Sequence, residues 1–591
     1  MATATAAVFD VRQSLSGLAW RWRLQEPAQA LHLAQAYGLN ESVARVLAAR
    51  APDLDQADRL LQPTIRDWMP DPSIFRDMDS AAGHLADAIQ AGRNIVVFGD
   101  YDVDGATSAA LLLRFIAEAG GIASPYIPDR LLEGYGPSGE VLESLARAGA
   151  ELVVTVDCGT QAFEALERAQ AAGLAVIVVD HHKAGWALPP ALAIVNPNRL
   201  DEAPDAAAHG HLAAVGLAFL LAVAVNRLLR QRGHYAARPE PNLLALLDLV
   251  ALGTVADVAA LKGLNRAFVT QGLKLMARRG NTGLAALLDV STPDRAPRAG
   301  DLGFHLGPRI NAGGRVGQSD LGVRLLTTQD PATAAGIART LDALNEERKG
   351  IEAAVLDQAL SQPQGDRPVV VAAGEGWHAG VLGIVAARLK ERHDRPAIVI
   401  GLEGGIGKGS GRSIAGVDLG AAVLSARDQG LLVAGGGHAM AAGLTVETGR
   451  LEALVEFLQA ALAEPVARAR QDRALAIDVA LAPAGATADL AEALEAAGPY
   501  GAGWPNPRVA LGPVRIVKAD IVGTDHLRLI VQGADGARLK AMAFRQASTA
   551  LGVALLSARG QSVYLAGRLA QDDWSGGPMA ELHIEDAAVC S

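Results

Sequence analysis

Cysteine is almost missing from this chain: Cys158 and Cys590 are the only two in 591 residues, and they lie far apart. That excludes a disulfide framework and any cysteine-based metal motif, and it predicts a reducing compartment, the cytoplasm. Aromatic residues make up 4% of the chain, so a platform for stacking nucleobases would be sparse. Positive charge is outnumbered, with 53 Lys and Arg against 64 Asp and Glu and a net charge of −11. A chain-wide attraction to polyanions is therefore excluded, while a local basic cleft is not. Long apolar runs are absent as well. The longest uncharged one, Leu212 to Val225, falls short of the roughly 20 residues that cross a bilayer and predicts a buried core helix and no membrane. Met1 to Gly17 has neither the basic nor the apolar region of an export signal, so none is expected. Half the residues are apolar and a fifth charged, a globular composition in a chain long enough for several domains.

What is there concentrates between Asn94 and Ser108. The β-branched and aromatic run Ile95 to Phe98 stops at Asp100, Asp102 and Asp104, three carboxylates at alternate positions. The run predicts a buried strand of a parallel sheet. A helix through Leu111, Leu112, Phe115 and Ile116 should follow, capped by Thr107 or Ser108. Ligands of open α/β sheets bind at the carboxyl ends of strands, and hard oxygen donors suit Mg²⁺ or Mn²⁺. Taken alone, the stretch reads equally well as an Asp- and Gly-rich turn.

The following period strengthens the metal reading. Strands predicted at Ala123–Ile127, Leu152–Val156, Ala175–Val179 and Ala193–Val195 alternate with helical stretches such as Ser138–Arg147 and Ala162–Ala171. That alternation gives a doubly wound parallel sheet. One strand ends in Asp157-Cys158-Gly159 and another in Asp180-His181-His182, so three strand ends bring acids or imidazoles to one edge. Neighbours in extended chain point to opposite sides, so one of His181 and His182 should be a ligand and the other should face the substrate. After an apolar helix at Leu243–Leu252, Asp257 could close the site, and by spacing alone Asp248 is an equal candidate.

The remaining segments carry weaker signals. Residues up to about Ser80 read as helical and peripheral. Lys262 to Ser361 reads as helical, with the charged run Asn345 to Lys349 as a solvated face. Within it, Pro308 to Arg315, containing Arg309, Asn311 and Arg315, reads as a donor-rich loop for phosphates or as a glycine turn with surface arginines. A second α/β unit follows, with strands at Val369–Ala372 and Ala397–Ile400 and a helix at Gly380–Glu391. Its glycine-rich stretches Gly404 to Ser413 and Gly435 to His438 read as loops gripping phosphate through Lys408, Ser410, Arg412 and His438. They are not a Walker A loop, because Gly409 follows Lys408. From Pro499 onward, runs at Val514–Val522, Leu527–Val531, Leu539–Phe544, Val563–Leu569 and Glu581–Ile584 predict an OB-like barrel. There Trp504, Phe544, Tyr564 and Trp574 are candidates for stacking or for the core, and Arg515, Lys518, Arg528 and Lys540 for phosphates.

These motifs in this order resemble a known family. Asp102-Val103-Asp104, Asp157, Asp180-His181-His182 and Asp257 resemble the DHH phosphoesterases. Gly376-Trp377-His378, Gly409 to Ser413 and Gly436-Gly437-His438 resemble their associated domain. Pro499 to Pro507 and the barrel after it resemble the bacterial RecJ exonucleases. The expected architecture is α/β: a DHH domain with a doubly wound parallel sheet (81–261), a smaller α/β associated domain (362–463) and an OB-like barrel (464–591). A helical N-terminal segment (1–80) and a long helical connector (262–361) complete it. The resemblance implies a single-stranded-DNA-specific 5′→3′ exonuclease of DNA recombination and repair using two Mn²⁺ or Mg²⁺ ions. Its rivals are a phosphodiesterase of short oligonucleotides or cyclic dinucleotides and an inactive strand-binding scaffold. The ligands it implies are Asp102, Asp104, Asp157, His181 and Asp257, with Asp157 bridging and His182 assisting at the phosphate. Arg130, Arg309, Ser410, Arg412 and His438 would hold phosphates, one group reading the 5′ end. Many relatives carry a metal-binding His where this chain has Phe98, so Asp100 or water is expected to fill in. A helicase and a single-strand-binding protein are the partners implied, and a monomer is expected.

Overall fold

The structure, a computed structural model, describes residues 7–50, 57–130, 132–291, 295–471, 473–572 and 579–590. They form two compact units. One combines the described residues up to Asp67 with those from 473 onward, and the other is Trp68–Gln471. The N-terminal segment, expected to be helical and peripheral, carries helices at Pro27–Tyr37 and Glu41–Ala48 but also a strand and a buried tryptophan. Its strand β1 (Ala19–Trp22) pairs in parallel with Ala474–Ile477, and Trp20 is buried with its indole N–H donating to Asp586 Oδ2 at 2.9 Å. A four-residue strand whose partner lies at the far end of the chain leaves no trace in local periodicity.

In the second unit, β2 (Asn94–Gly99), β3 (Ile122–Tyr126), β4 (Leu152–Val156), β5 (Ala175–Val179) and β6 (Ala193–Val195) form an all-parallel sheet in the order β3-β2-β4-β5-β6. The apolar, mostly β-branched runs of β2, β4, β5 and β6 are buried because both faces are covered, while the edge strand β3 is largely exposed. The helices Gly139–Arg147 and Phe163–Ala171 pack Leu142 and Leu166 over Val96, Phe98, Val153 and Val176 on one face. The helices Val103–Glu118 and Ala214–Gln231 pack on each other and against the sheet. The latter is long and apolar enough by composition to cross a bilayer, but it is mostly buried as the core helix expected. Thr107 and Ser108 do not cap the helix after β2. Asp102 does, accepting from Gly105 N at 3.0 Å, while Thr107 sits one turn inside and donates back to the Val103 carbonyl.

Pro308 to Arg315 is not a loop. It lies in the helix Gly307–Val316, entered directly from a π-helical turn, Leu302–Leu306. Its glycines serve close packing: a Cβ on Gly314 would stand 3.0 Å from the Tyr101 carbonyl, and one on Gly313 2.9 Å from that of Gln318. In the long helix Pro331–Ser361, Glu346, Glu347 and Lys349 face solvent as expected. Asn345 and Arg348, by contrast, are buried and bonded to each other at 2.9 Å.

The second sheet holds β7 (Val370–Glu375), β8 (Ala397–Glu403), β9 (Ile406–Arg412), β10 (Ala434–His438) and β11 (Ala441–Glu447) in the order β10-β11-β9-β8-β7. Both glycine-rich stretches are therefore strands rather than loops. Gly407, Gly409 and Gly411 share one face, where a Cβ would come within 2.8 Å of Ile400, 2.8 Å of Leu444 and 2.7 Å of Leu419 respectively. The alternation that hides these glycines turns Lys408, Ser410 and Arg412 to the opposite face.

In the first unit, β12 (Ala474–Ile477) pairs with β1. The strands β13 (Val479–Leu481), β14 (Val509–Val522), β15 (His526–Gln532), β16 (Arg538–Ala543), β17 (Ser562–Gln571) and β18 (Ala580–Val589) run β13-β14-β15-β16-β18-β17, and β17 pairs back onto β14 to close a barrel. Irregularities at Leu511/Val514 and Ile516/Lys518 bend the long β14. Among the stacking candidates Trp504 is buried, Tyr564 stacks on Phe9 at 4.7 Å, and Phe544 is exposed; Trp574 lies outside the described residues. Lys518 and Arg528 share Asp520, Lys540 sits between Asp572 and Glu581, and Arg515 is exposed.

Candidate metal centre

The carboxyl ends of β2, β4 and β5 carry the chemistry. β2 delivers Asp100 and then Asp102, whose capping bond ties it to the helix start. Gly105 is the residue that lets this turn close, since a Cβ there would stand 2.4 Å from the Asp100 carbonyl. Asp104 is fully buried and accepts from Ala214 N (2.7 Å) and Val215 N (2.9 Å), at the start of the helix Ala214–Gln231. Asp157 follows β4 with φ of 63°, an uncommon conformation for a non-glycine residue that re-aims its carboxylate. Asp257 is the C-terminal cap of the helix Leu247–Ala256, which takes in Gly253 to Ala256 beyond the span expected.

The two histidines do not point to opposite sides, as extended chain would have them: their ring centroids lie 4.7 Å apart and both stand within 3.9 Å of Asp157 Oδ1, and it is their hydrogen-bond partners that differ. His181 directs Nε2 at Asp157 Oδ1 (3.2 Å), Asp104 Oδ2 (3.9 Å) and Asp257 Oδ2 (3.9 Å). Burial, then His182, pushes its pKa down to about 4, and a hydrogen bond to the Leu212 backbone orients the ring. It is neutral, the state in which imidazole binds metal. His182 takes the opposite character. Burial lowers its pKa, but the bond from Nδ1 to Asp180 Oδ1 (2.7 Å) outweighs this and raises it to about 9.

Three groups of donor atoms are close enough to share an ion: Asp100, Asp102 and Asp157; Asp104, His181 and Asp257; and Asp157, His181 and His182. Asp157 and His181 each belong to two. Asp100 Oδ1, Asp157 Oδ1 and His181 Nε2 are buried without a hydrogen-bond partner among the described residues, an arrangement costly for a protein to hold empty. Burial followed by Asp102 raises Asp100 to about 8 and Asp257 to about 7. Burial with the neighbouring acids raises Asp104 and Asp157 well above the carboxylate range. Oxygen donors with one imidazole on an acid-crowded edge fit Mn²⁺ or Mg²⁺. Phe98 is buried and stacks on Tyr126 at 5.2 Å, while Asp100 joins the donors.

A basic cluster adjoins these acids. The Arg130 guanidinium lies over the Tyr101 ring at 4.8 Å, between Asp100 and Asp102 in sequence. Arg412 Nη1 donates to Ser410 Oγ at 3.2 Å, and Arg315 Nη1 to the Gly380 carbonyl at 2.7 Å. Burial, then Arg130, Arg348 and Arg412, lowers Arg315 to about 10; burial, then Arg130, lowers Arg412. These guanidiniums feel one another more than any carboxylate, which suits a phosphate. Arg309 is engaged elsewhere, paired with Asp342 at 2.8 Å and bonded to the His305 carbonyl. Asn311 is half-buried on the same helix and His438 is exposed at the end of β10. Asp248 caps its own backbone at Leu249 and belongs to none of the donor groups.

The spacing marked Asp180 but not Asn196, Asn198 or Tyr135, which hold this loop with it. Asp180 accepts from the His181 and His182 backbone and from Thr160 N. Burial opposes its ionisation, but the hydrogen bond and charge of the His182 ring, followed by the Thr160 and His182 backbone bonds, hold it well below the carboxylate range. Asn196 and Asn198 clamp the carbonyls of His182 and His181 at 2.8 and 2.6 Å, and Tyr135 donates to the Asp157 carbonyl at 3.0 Å. Asn196-Pro197-Asn198 and Gly134-Tyr135-Gly136 were the available signals.

Residues 94–254 match the DHH family, N-terminal domain, residues 366–464 the DHHA1 domain and residues 477–586 the RecJ OB domain. The single-stranded-DNA-specific exonuclease RecJ of Dickeya dadantii (strain 3937) is 42% identical over 77% of this chain and 81% of its own length. That of Escherichia coli (strain K12) is 39% identical over 78% and 82%. Among solved structures, RecJ from Thermus thermophilus in complex with Mn²⁺ superposes with a TM-score of 0.78 at 30% identity, covering 95% of this chain and 78% of that one. Its Mg²⁺ complex gives 0.72 at 29% identity, covering 96% and 77%.

Proposed function

The chain belongs to the RecJ family of DHH exonucleases, and from that premise we infer a single-stranded-DNA-specific exonuclease that hydrolyses phosphodiester bonds from the 5′ end. The observation that carries the chemistry is the set of three donor groups linked through Asp157 and His181. Asp100, Asp102, Asp104, Asp157, His181 and Asp257 would hold two Mn²⁺ or Mg²⁺ ions. When bound, such ions acidify water and neutralise charge at the attacked phosphate.

The rest is the work of this chain's own residues. His181, neutral and fixed through Leu212, keeps a lone pair on Nε2 for a ligand's role. His182 stays protonated against Asp180, so its Nε2 proton is available to a phosphate oxygen or to the departing oxygen. Arg130, Arg315, Ser410 and Arg412 form the phosphate grip, and we assign it to the strand's 5′ end. Support for that polarity comes from the family and from the grip's position against Tyr101, beside the carboxylates. Arg309, Asn311 and His438 are at most peripheral to it. A role in recombination and repair belongs to the same reading. Recruitment by a helicase and a single-strand-binding protein, a monomeric state and a cytoplasmic setting extend it, supported by the family and by two free cysteines; co-sedimentation with those partners tests the recruitment.

The function is tested by Mn²⁺-dependent digestion of a single strand labelled at its 3′ end, with Asp157→Ala and a blunt duplex as controls. A descending ladder from wild type alone, with the duplex spared, is expected. Strand binding without cleavage would replace the reading with an inactive scaffold, and cleavage of dinucleotides only with a short-oligonucleotide phosphodiesterase.

A further inference from the structure

Among the described residues, the four most exposed large hydrophobic side chains are Trp186 (93%), Leu132 (87%), Phe304 (82%) and Val258 (71%). All four sit on segments that carry or touch the metal centre and its arginines. Leu132 is two residues beyond Arg130. Trp186 is four beyond His182, on a loop pinned by Gln161 to the Lys183 carbonyl at 3.2 Å, so its Cα lies within about 14 Å of that histidine's. Val258 follows Asp257 and, though β-branched, holds a φ of 59°. Phe304 lies in the π-helical turn, whose Gly303 faces Val255 on the helix that ends at Asp257. Scattered exposed apolar residues are ordinary, but the extremes of exposure collecting around one catalytic edge are not.

We propose that Trp186 and Phe304 grip nucleobases at the rim of the metal centre, and that this demand for open base faces helps to select single strands. The inference rests on the exonuclease reading. Metal-bound carboxylates and guanidiniums engage phosphates and leave the bases unattended, while exposed rings on segments that adjoin the site offer the surface that bases stack on. Every base has a π-face, so such a grip tolerates any sequence. A duplex buries those faces in its own stack and cannot satisfy it. A protein partner seated on these side chains would cover the mouth of the site, which makes it the weaker occupant.

The test compares wild type, Trp186→Ala, Phe304→Ala and Trp186→Phe on single strands that are intact or carry one abasic position, stepped from the first to the sixth nucleotide. Each alanine should raise KM about 5- to 150-fold, the range that corresponds to losing one stacked base, with kcat within about twofold. Trp186→Phe should keep most of the affinity. At one abasic position wild type should lose the same factor, and the alanine should add nothing to it. KM values near wild type, or equal losses at every abasic position, would overturn the proposal. Intrinsic fluorescence of chelator-treated protein titrated with the oligonucleotide separates this from the activity itself. Quenching in wild type that is lost in Trp186→Phe supports the contact even if no cleavage occurs, and equal quenching in both refutes it.

Discussion

Nδ1 of His182 lies 2.7 Å from Oδ1 of Asp180, and this contact makes two adjacent histidines chemically unlike. Burial depresses both, yet only His182 is hydrogen-bonded to a carboxylate, and its pKa rises to about 9 while that of His181 falls to about 4.

Asp180→Asn should therefore act through His182. Without the carboxylate the imidazolium is lost at lower pH, so kcat at pH 8 should fall about 10- to 100-fold, as for other groups that orient a metal-site histidine. Part of it should return near pH 6. A pH–rate profile parallel to wild type would show that Asp180 only shapes the loop.

The crowded acids predict how the ion-free protein responds to pH. Asp100 and Asp257 have folded pKa values of about 8 and 7 against 3.8 ordinarily, so the folded state holds extra protons between about pH 4 and 8. Stability should fall as pH rises through that window. Tm measured in chelator should drop from pH 5.5 to 8.5. Mn²⁺ should reverse the drop, adding about 2.7 kcal/mol at a hundred times its Kd. A flat Tm, or no response to Mn²⁺, would contradict the arrangement.

Gly105→Ala should disable the site without touching a donor atom. The added methyl would lie 2.4 Å from the Asp100 carbonyl, so the turn holding Asp100 and Asp102 has to open. Overpacking of this kind costs about 1–3 kcal/mol. Calorimetry should show weakened Mn²⁺ binding in a protein that remains folded by circular dichroism; wild-type binding would mean that the turn yields cheaply.

Arg412→Lys should behave almost like Arg412→Ala, because a lysine cannot reproduce a planar fork beside Ser410. Loss of a charged hydrogen bond of about 1.5–3 kcal/mol should raise KM roughly 10- to 150-fold for a strand with a 5′ phosphate. A strand with a 5′ hydroxyl should be affected less. Equal losses on both would move the arginine to an internal phosphate.

The strand ends were legible because they are local: an apolar β-branched run, a stop, and a carboxylate or histidine fall within ten residues at Asp100, Asp157 and Asp180. The alternation of extended chain did not predict that His181 and His182 both face Asp157, and the resemblance carried the rest of the ligand set. Gly407, Gly409 and Gly411 were misread as loop because a glycine in sequence does not say whether it turns the chain or yields to a leucine on the next strand. For the same reason Pro308 to Arg315 was misread, its Gly314 being set by Tyr101 from elsewhere in the chain.

By itself, the sequence determined the parallel sheet and the chemical character of its carboxyl edge, since both follow from the order of apolar and polar residues within a strand. Tertiary structure alone decided that Arg315 and not Arg309 joins Arg130 and Arg412, and that β1 closes against the far end of the chain. Those choices depend on the rotation of a helix and on which distant backbone comes within hydrogen-bond reach, and neither is fixed until the whole chain is packed.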